Sequence, residues 1–463
     1  MRILLVTHLY PPHHQAGVEQ YTRTLANALK GADDVSVATT RKILSRRTGF
    51  VNRVRDDEGV SVHEFVANHD FGTRSETYLN SDMERGLLAL VEERNIDIVH
   101  FQHLMYWSTG LVKKLAERGV PIFLTLHDYW LMCGRMGQLR RASGELCEQA
   151  EPGACCECLA GYAFGQPPLA IQGIAMLTAI RRRCGIPLDG VLRGLRRVGG
   201  WFSRGRGASS DAESTAPPLP RSEFDQRRAA FLDAVQWASS VLVPTQTFRE
   251  AFLNWGISDS RLKHVAQGRD HAPFENLVRM PRGDGPLRVG FIGQVAEHKG
   301  VRELIDAVLR IDPAQVDLQI IGPVVGDRAY AAACRAAAEA TPNIHYRGAI
   351  AAESIPDTYQ SLDVLVVPSL WNECSPLTIQ EAFMSGVPVI ASDIGGMREM
   401  VEPEVSGLLV KEGDVDGLAS ALQRLVDDEP FRQTLADGVP NVCSLQDHVR
   451  ELRGLYSKAL GAS

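Results

Sequence analysis

Short apolar runs alternate with helical repeats along this chain, and they fall into two series. In the first, Ile3 to Val6, Ile96 to Phe101, Ile122 to Leu126 and Ser240 to Pro244 predict buried strands. Val18, Tyr21, Leu25, Ala26 and Leu29 repeat at helical spacing after the first of these, and another helix runs through Phe248 and Phe252. The second series starts near Leu287, with strands expected at Arg288 to Ile292, Leu318 to Ile321, Ile344 to Tyr346, Val364 to Val367, Val387 to Ile390 and Gly407 to Val410. Continuous apolar strands bounded by helices signal parallel sheets covered on both faces. The rhythm fails between 161 and about 230, where Ser203 to Pro220 is rich in Gly, Ser and Pro and reads as a loop.

The pattern therefore predicts an α/β protein of two domains. Residues 1–275 form the first, carrying a cysteine-rich segment at 133–158 and a basic insertion at 161–225. Residues 287–444 form the second, and a last helix in 445–463 packs back on the first domain. A linker rich in Pro, Gly and charge spans Asp270 to Pro286. Two such sheets make a cleft, and ligands of open α/β sheets bind beyond the carboxyl ends of the strands.

The length of 463 residues suits two cores of roughly 200 residues better than one. With 44% hydrophobic and 23% charged residues and a net charge of −7, the composition is globular and argues against a nucleic-acid partner. The first apolar run is too short for a secretory signal, and no segment reaches the length of a membrane span. The expected location is cytoplasmic, with peripheral contact at the inner membrane face as an option. That option rests on residues 161–210, where eight arginines (181, 182, 183, 193, 196, 197, 204 and 206) face one acid, Asp189. The stretch reads equally as an anionic-lipid patch or as a solvated insertion.

The most informative text runs from Pro368 to Ala382. It follows a strand, and Ser375-Pro376 reads as a helix start, with Ser as N-cap and Pro at the first helical position. Free N–H groups at such a terminus suit a phosphate. Glu373 lies just before that helix and Glu381 inside it, so their carboxylates address points roughly 9–12 Å apart at ~1.5 Å rise per residue. Carboxylates only accept hydrogen bonds and so suit hydroxyl-rich rings. A second element, Gly293 to Gly300, joins a strand, a glycine turn and Lys299 at a helix start, a natural cradle for a diphosphate. A third, Asp393 to Glu399, places Gly395 and Gly396 at another strand-to-helix junction.

Glu373-x7-Glu381 with its flanking residues resembles the donor motif of the family-4 (group 1) retaining glycosyltransferases of GT-B fold, which have two facing Rossmann-like domains and a cleft between them. The resemblance implies that Glu381 binds the ribose of a nucleotide-diphosphate sugar and Glu373 the transferred sugar. It places the amides of Cys374, Ser375, Pro376, Leu377 and Thr378 (Pro376 itself having no N–H) against sugar or phosphate. Gly293, Gln294 and Lys299 would meet the diphosphate, Gln294 standing where the family commonly has Arg. In the first domain the loop Pro11 to Glu19 is similar to the family's glycine-rich loop, with Ala16-Gly17 in place of a double glycine, so close approach falls to Gly17. His127, at a strand end, matches a histidine facing the transferred sugar. A turn capped by Asp128 is the plainer reading there, and His100 and His103 are equally core or acceptor contacts.

The resemblance thus implies a retaining transferase acting on a saccharide or lipid-linked acceptor in polysaccharide or glycoconjugate biosynthesis. His127, Glu373 and Lys299 are its catalytic candidates. No Asp-x-Asp appears in the donor region, so no catalytic cofactor is expected, and Lys299 with helix N-termini would stabilise the leaving diphosphate. No placed carboxylate nucleophile stands out, which favours same-face attack over double displacement. A nucleotide-sugar epimerase or phosphorylase on this architecture, and a non-catalytic sugar-nucleotide-binding protein, are the rival readings. An NAD enzyme is disfavoured because no Gly-x-Gly-x-x-Gly follows a predicted strand.

Nine cysteines remain to be explained, five of them within 133–158. Cys133, Cys147, Cys155 and Cys158, with spacings x13, x7 and x2, are the set that would close a structural zinc site; buried or free thiols are the alternative.

Overall fold

A computed structural model describes residues 1–461 apart from 15, 44–45, 70, 142, 163–216, 276 and 278–284. The arginine-rich stretch, most of the Ser203–Pro220 loop and much of the Asp270–Pro286 linker lie outside the described residues. The chain divides into two compact units, Met1–Val243 with Arg249–His264 and Val449–Ser463, and Pro244–Phe248 with Val265–His448.

The first unit is built on β1 (Arg2–Val6), α1 (Gly17–Leu29), β2 (Asp34–Arg41), β3 (Val51–Asp57), β4 (Val60–Val66), α2 (Ser81–Glu93), β5 (Ile98–Phe101), α3 (Gly110–Ala116), β6 (Ile122–Thr125), α4 (Pro152–Cys158), α5 (Arg221–Trp237), β7 (Ser240–Val243) and β8 (Leu262–His264). A helix α6 (Gln246–Trp255) lies between the last two strands. Its sheet runs β3-β4-β2-β1-β5-β6-β7-β8. All pairings are parallel except β3 with β4. Ile3, Leu4, Leu5 and Val6 are fully buried because β1 lies mid-sheet with covered faces. The strand expected from Ile96 begins at Ile98, since Ile96 N–H bonds the Val91 carbonyl and so closes α2.

The second unit contains β9 (Leu287–Ile292), α7 (Val301–Val308), β10 (Val316–Ile321), α8 (Arg328–Glu339), β11 (Ile344–Gly348), α9 (Ile355–Gln360), β12 (Val364–Val367), α10 (Leu377–Met384), β13 (Val389–Ser392), α11 (Gly395–Met400), β14 (Gly407–Val410), α12 (Val415–Asp427) and α13 (Glu429–Asp437). The six strands are parallel in the order β11-β10-β9-β12-β13-β14. This is the doubly wound Rossmann order, whose chain reverses direction between β9 and β12. Strand β13 starts at Val389, two residues later than the sequence pattern suggests. Pro388 has no N–H to give the ladder, so pairing begins after it.

Residues 265–275, expected with the first domain, cluster with the second unit. Arg269 N–H bonds the Cys443 carbonyl at 2.9 Å, and Phe274 lies 6.3 Å from the Tyr359 ring. The last helix, α14 (Leu445–Ala459), docks its final turns on the first unit's sheet. Its fully buried Tyr456 hydroxyl sits 2.6 Å from His100 Nδ1, the ring meets Phe123 edge-on, and Arg453 pairs with Asp33.

His448, at the start of α14 and 2% exposed, has its pKa lowered to about 4 by burial, against one hydrogen bond to the Ala266 backbone that raises it. The folded protein therefore resists protonation there while the unfolded chain accepts it near 6.5. Stability from this site is complete above that value and is lost as pH falls toward 4. Between pH 7.5 and 5 the loss is about 2 kcal/mol. Urea unfolding of His448→Gln at both pH values is expected to show a pH difference smaller by that amount than the parent's.

Candidate donor site at the sheet reversal

The chain leaves β9 at Ile292, passes Gly293 and Gln294, and makes a single 3₁₀ turn, Glu297–Lys299, before α7. Gly300 joins turn to helix at φ +69°, and a Cβ there would fall 1.8 Å from the Pro368 carbonyl oxygen. Only glycine allows the loops after β9 and β12 to approach so closely. Leu370 N–H then bonds the His298 carbonyl at 2.8 Å, tying the two loops together.

This contact delivers Lys299 to Glu373. Lys299 Nζ lies 2.5 Å from Glu373 Oε1, which also accepts from Trp371 Nε1 at 2.6 Å and Ser369 Oγ at 2.9 Å. The ammonium also sits over the Trp371 ring, 5.3 Å from its centroid. Burial pushes the Glu373 carboxyl up, but the Lys299 charge and the three hydrogen bonds outweigh it and hold the group below the ordinary value. It is an ionised carboxylate in a largely dry setting, fixed from three sides through one oxygen.

Gly395 and Gly396 hold the same loop from the other side. Gly396 N–H bonds the Glu373 carbonyl at 2.7 Å, and a Cβ on Gly396 would stand 1.8 Å from the Cys374 carbonyl oxygen. Gly396→Ala must displace that backbone, at about 1–3 kcal/mol. Lower thermal stability is the expected outcome, read by melting curves.

The helix start differs from expectation. Helix α10 begins at Leu377, and Pro376 is its N-cap, with φ −59°, ψ 118° and no side-chain cap. Ser375 is not the cap: a residue before proline is driven out of the helical region, and its hydroxyl instead meets Gln380 Nε2 and Met400 Sδ. The first N–H groups of α10 still lack an intrahelical acceptor, as at any helix start.

Glu381 lies one turn into α10. Arg269 Nη2 bonds its Oε1, and the Tyr359 hydroxyl lies 3.1 Å from Oε2 and 3.2 Å from the Thr378 carbonyl. Burial raises the Glu381 pKa despite Arg269 and Tyr359, and burial also drives the Tyr359 phenol well above its usual range. Gln294 is half-buried and makes no side-chain hydrogen bond among the described residues. Arg269, Tyr359, Ser369 and Trp371 carry no role in the sequence-based expectation. Ser369 and Trp371 stand inside the Pro368–Ala382 text, whereas Arg269 reaches Glu381 across 112 positions and leaves no local signal.

In the first unit Gly17 is exposed at the start of α1, after Ala16 as N-cap. His127 Nε2 lies 3.1 Å from Gln102 Oε1, and its ring meets Tyr21 at 5.0 Å. Asp128 does cap a turn, accepting from Trp130 N–H at 2.8 Å, while its second oxygen lies 3.1 Å from His103 Nε2. His100 is a core residue, fully buried between Tyr456 and Thr125. Cys133, Cys147, Cys155 and Cys158 are free thiols that border one cavity of about 250 Å3. Burial first, and then the neighbouring thiols, push Cys155 up to about 12.

Residues 286–428 match the family described as glycosyl transferases group 1, and residues 16–150 match the glycosyl transferase 4-like domain. The chain belongs to the group 1, family-4 type of glycosyltransferases of GT-B fold. A GDP-mannose-dependent alpha-mannosyltransferase of Mycolicibacterium smegmatis is 35% identical over 217 residues, 45% of this chain and 52% of that protein. A 2-deoxystreptamine glucosyltransferase of Streptomyces kanamyceticus is 34% identical over 152 residues, 32% of this chain and 38% of its own. The chain thus spans about half or less of these relatives. The crystal structure of Anabaena Alr3699/HepE in complex with UDP and glucose superposes with a TM-score of 0.62 at 16% identity, covering 99% of both chains, and shows the shared fold.

Proposed function

We propose that this protein is a retaining glycosyltransferase that moves a hexose from a nucleotide-diphosphate sugar to a saccharide or lipid-linked saccharide in glycoconjugate biosynthesis. The observation that carries the proposal is the Lys299–Glu373 pair between the ends of β9 and β12, where a doubly wound sheet reverses direction and binds its ligand. Breaking the bond between sugar and diphosphate leaves negative charge on phosphate and positive character on the sugar. Lys299 and the N–H groups that open α10 answer the first, and the ionised Glu373 answers the second and holds sugar hydroxyls through its less engaged oxygen.

Glu381, held by Arg269 and Tyr359, is the ribose acceptor in this reading, and Gly293 lets the backbone approach the diphosphate. His127 and Gly17 keep the roles that the resemblance implies. Attack from the face the leaving phosphate departs gives retention without a carboxylate nucleophile. The named donors of the relatives, GDP-mannose among them, support the donor class.

No helix of the described residues is long and apolar enough to cross a membrane. Peripheral contact through the arginine-rich stretch stays part of the proposal, and its test is flotation with liposomes that contain or lack anionic lipid.

A thermal-shift screen of UDP-, GDP- and ADP-sugars tests the function. One of them is expected to stabilise the protein by about 2.7 kcal/mol at a hundred times its dissociation constant, and transfer is expected to keep the anomeric configuration by NMR. No binding of any sugar nucleotide would overturn the function, and an inverted product would overturn the mechanism.

A further inference from the structure

The loop from Pro368 to Pro376 joins β12 to α10 without regular structure, so its side chains are fixed by contacts rather than by a ladder or a helix. Its backbone is pinned twice: Leu370 N–H bonds the His298 carbonyl, and Gly396 N–H bonds the Glu373 carbonyl. Ser369, Trp371 and Glu373 alternate along it.

Three donors from this neighbourhood meet on a single oxygen of Glu373. Oε1 faces the Lys299 ammonium, the Trp371 N–H and the Ser369 hydroxyl within 2.5–2.9 Å, while Oε2 takes no hydrogen bond among the described residues. A carboxylate offers roughly two acceptor sites on each oxygen, so the protein fills Oε1 and leaves Oε2 to a ligand. The side chain is 12% exposed, enough for one oxygen to be met from outside.

Lys299 does not make that choice alone. The end torsion of a glutamate is broad and roughly two-fold, and an ammonium is a compact charge with rotatable donors. Either oxygen, or both, would serve it equally. Trp371 differs, because its one N–H lies in the plane of a rigid ring. That ring is itself braced: the His298 imidazole meets it at 4.5 Å and 59°, and Lys299 Nζ lies 5.3 Å from its centroid. One indole therefore touches both members of the ion pair, giving an N–H to Glu373 and a π-face to Lys299. Ser369, 1% exposed, adds a second neutral donor to the same oxygen.

We propose that Trp371 is a positioning residue for the donor sugar: with Ser369 it commits Glu373 Oε1 to the protein and turns Oε2 toward the sugar hydroxyls. This rests on the glycosyltransferase function proposed above and adds to it the group that aims its sugar-binding carboxylate. A phenylalanine at 371 keeps an aromatic face for Lys299 but has no N–H to give. Glu373 then swings until both oxygens face Lys299, and the acceptor offered to the sugar is lost.

The test compares two ligands by titration calorimetry on the full chain. One is a sugar nucleotide found by the thermal-shift screen, and the other is the nucleoside diphosphate of the same base. The ratio of their affinities isolates the sugar and cancels any change in the shared contacts. Trp371→Phe is expected to lower that ratio about 10-fold, as for a lost hydrogen bond to a charged group. Ser369→Ala removes only a small buried hydroxyl and is expected to lower it in the same direction. The ratio in both variants is also expected to fall away at a higher pH than in the parent as acid is added. Each has lost a hydrogen bond that helps Lys299, the charged group facing the carboxylate, to hold Glu373 ionised, so the folded pKa rises. A role confined to packing would not move that limb. A parent ratio preserved in folded Trp371→Phe, or in Ser369→Ala where the former does not fold, would overturn the inference and leave the function standing. A parent that binds no sugar nucleotide would overturn the function first, and this inference with it.

Discussion

Lys299→Ala is expected to lower kcat by about 10²–10³-fold, the usual consequence of removing one preorganised donor that meets charge developing in the transition state. The same substitution has a second signature that separates chemistry from folding. Glu373 is held below its ordinary pKa only because Lys299, Trp371 and Ser369 outweigh its burial. In the parent, stability from this carboxylate is present above the unfolded value and is lost as pH falls through the folded one. Without Lys299 burial wins, the folded pKa rises above the unfolded value, and the sign reverses. The variant then loses stability as pH rises, so its melting temperature falls further below the parent's at pH 8 than at pH 5. Lys299→Ala with Glu373→Gln removes the stranded charge and is expected to recover stability at pH 8 without recovering activity. Unchanged turnover in a folded Lys299→Ala protein would remove Lys299 from the mechanism.

Strands β12 and β13 of the second unit were readable because each is buried along its whole length and appears as an apolar run, whereas β10 and the edge strand β11 were read through the polar residues they carry. Val364 to Val367 is the plainest case. Strand β2 escaped the reading, since Ser36, Thr39 and Thr40 are buried polar residues that break the run. Strand β3 escaped it for another reason. It is the antiparallel edge, and its sequence Val51–Asp57 carries two arginines and two aspartates, of which Arg53 and Asp56 are exposed while Arg55 and Asp57 pair with Glu64 and Arg23.

For the site, the sequence pointed to Lys299, Glu373 and Glu381 through local motifs at strand ends. It did not indicate that Lys299 and Glu373 pair directly, because their contact spans 74 positions and depends on Gly300 letting two loops touch. Nor did it locate Arg269 and Tyr359, whose importance appears only when α10 turns Glu381 toward them. Motifs of glycine and charge record where a ligand is met. Partners that orient those charges come from distant chain and leave no periodic trace.

Glu381 is where such hidden partners have their largest expected effect. Its carboxylate is buried between Arg269 and Tyr359, and burial outweighs both in raising its pKa. Ionisation at this site therefore works against folding as pH rises through the folded value, a cost consistent with a group retained for binding. Glu381→Ala removes the acceptor for a ribose diol and strands the Arg269 charge. Donor affinity is expected to fall about 100-fold, close to 2.7 kcal/mol, and stability by about 3–5 kcal/mol, the range for breaking a buried ion pair from one side. Glu381→Gln separates the two effects. Its amide keeps the side-chain shape and one acceptor oxygen for Arg269 but presents an N–H₂ where the diol needs an acceptor. It should therefore melt nearer to the parent and still bind the sugar nucleotide poorly in calorimetry. If both variants fold and bind donor as the parent does, Glu381 serves only to anchor Arg269 and Tyr359, and the ribose is held elsewhere.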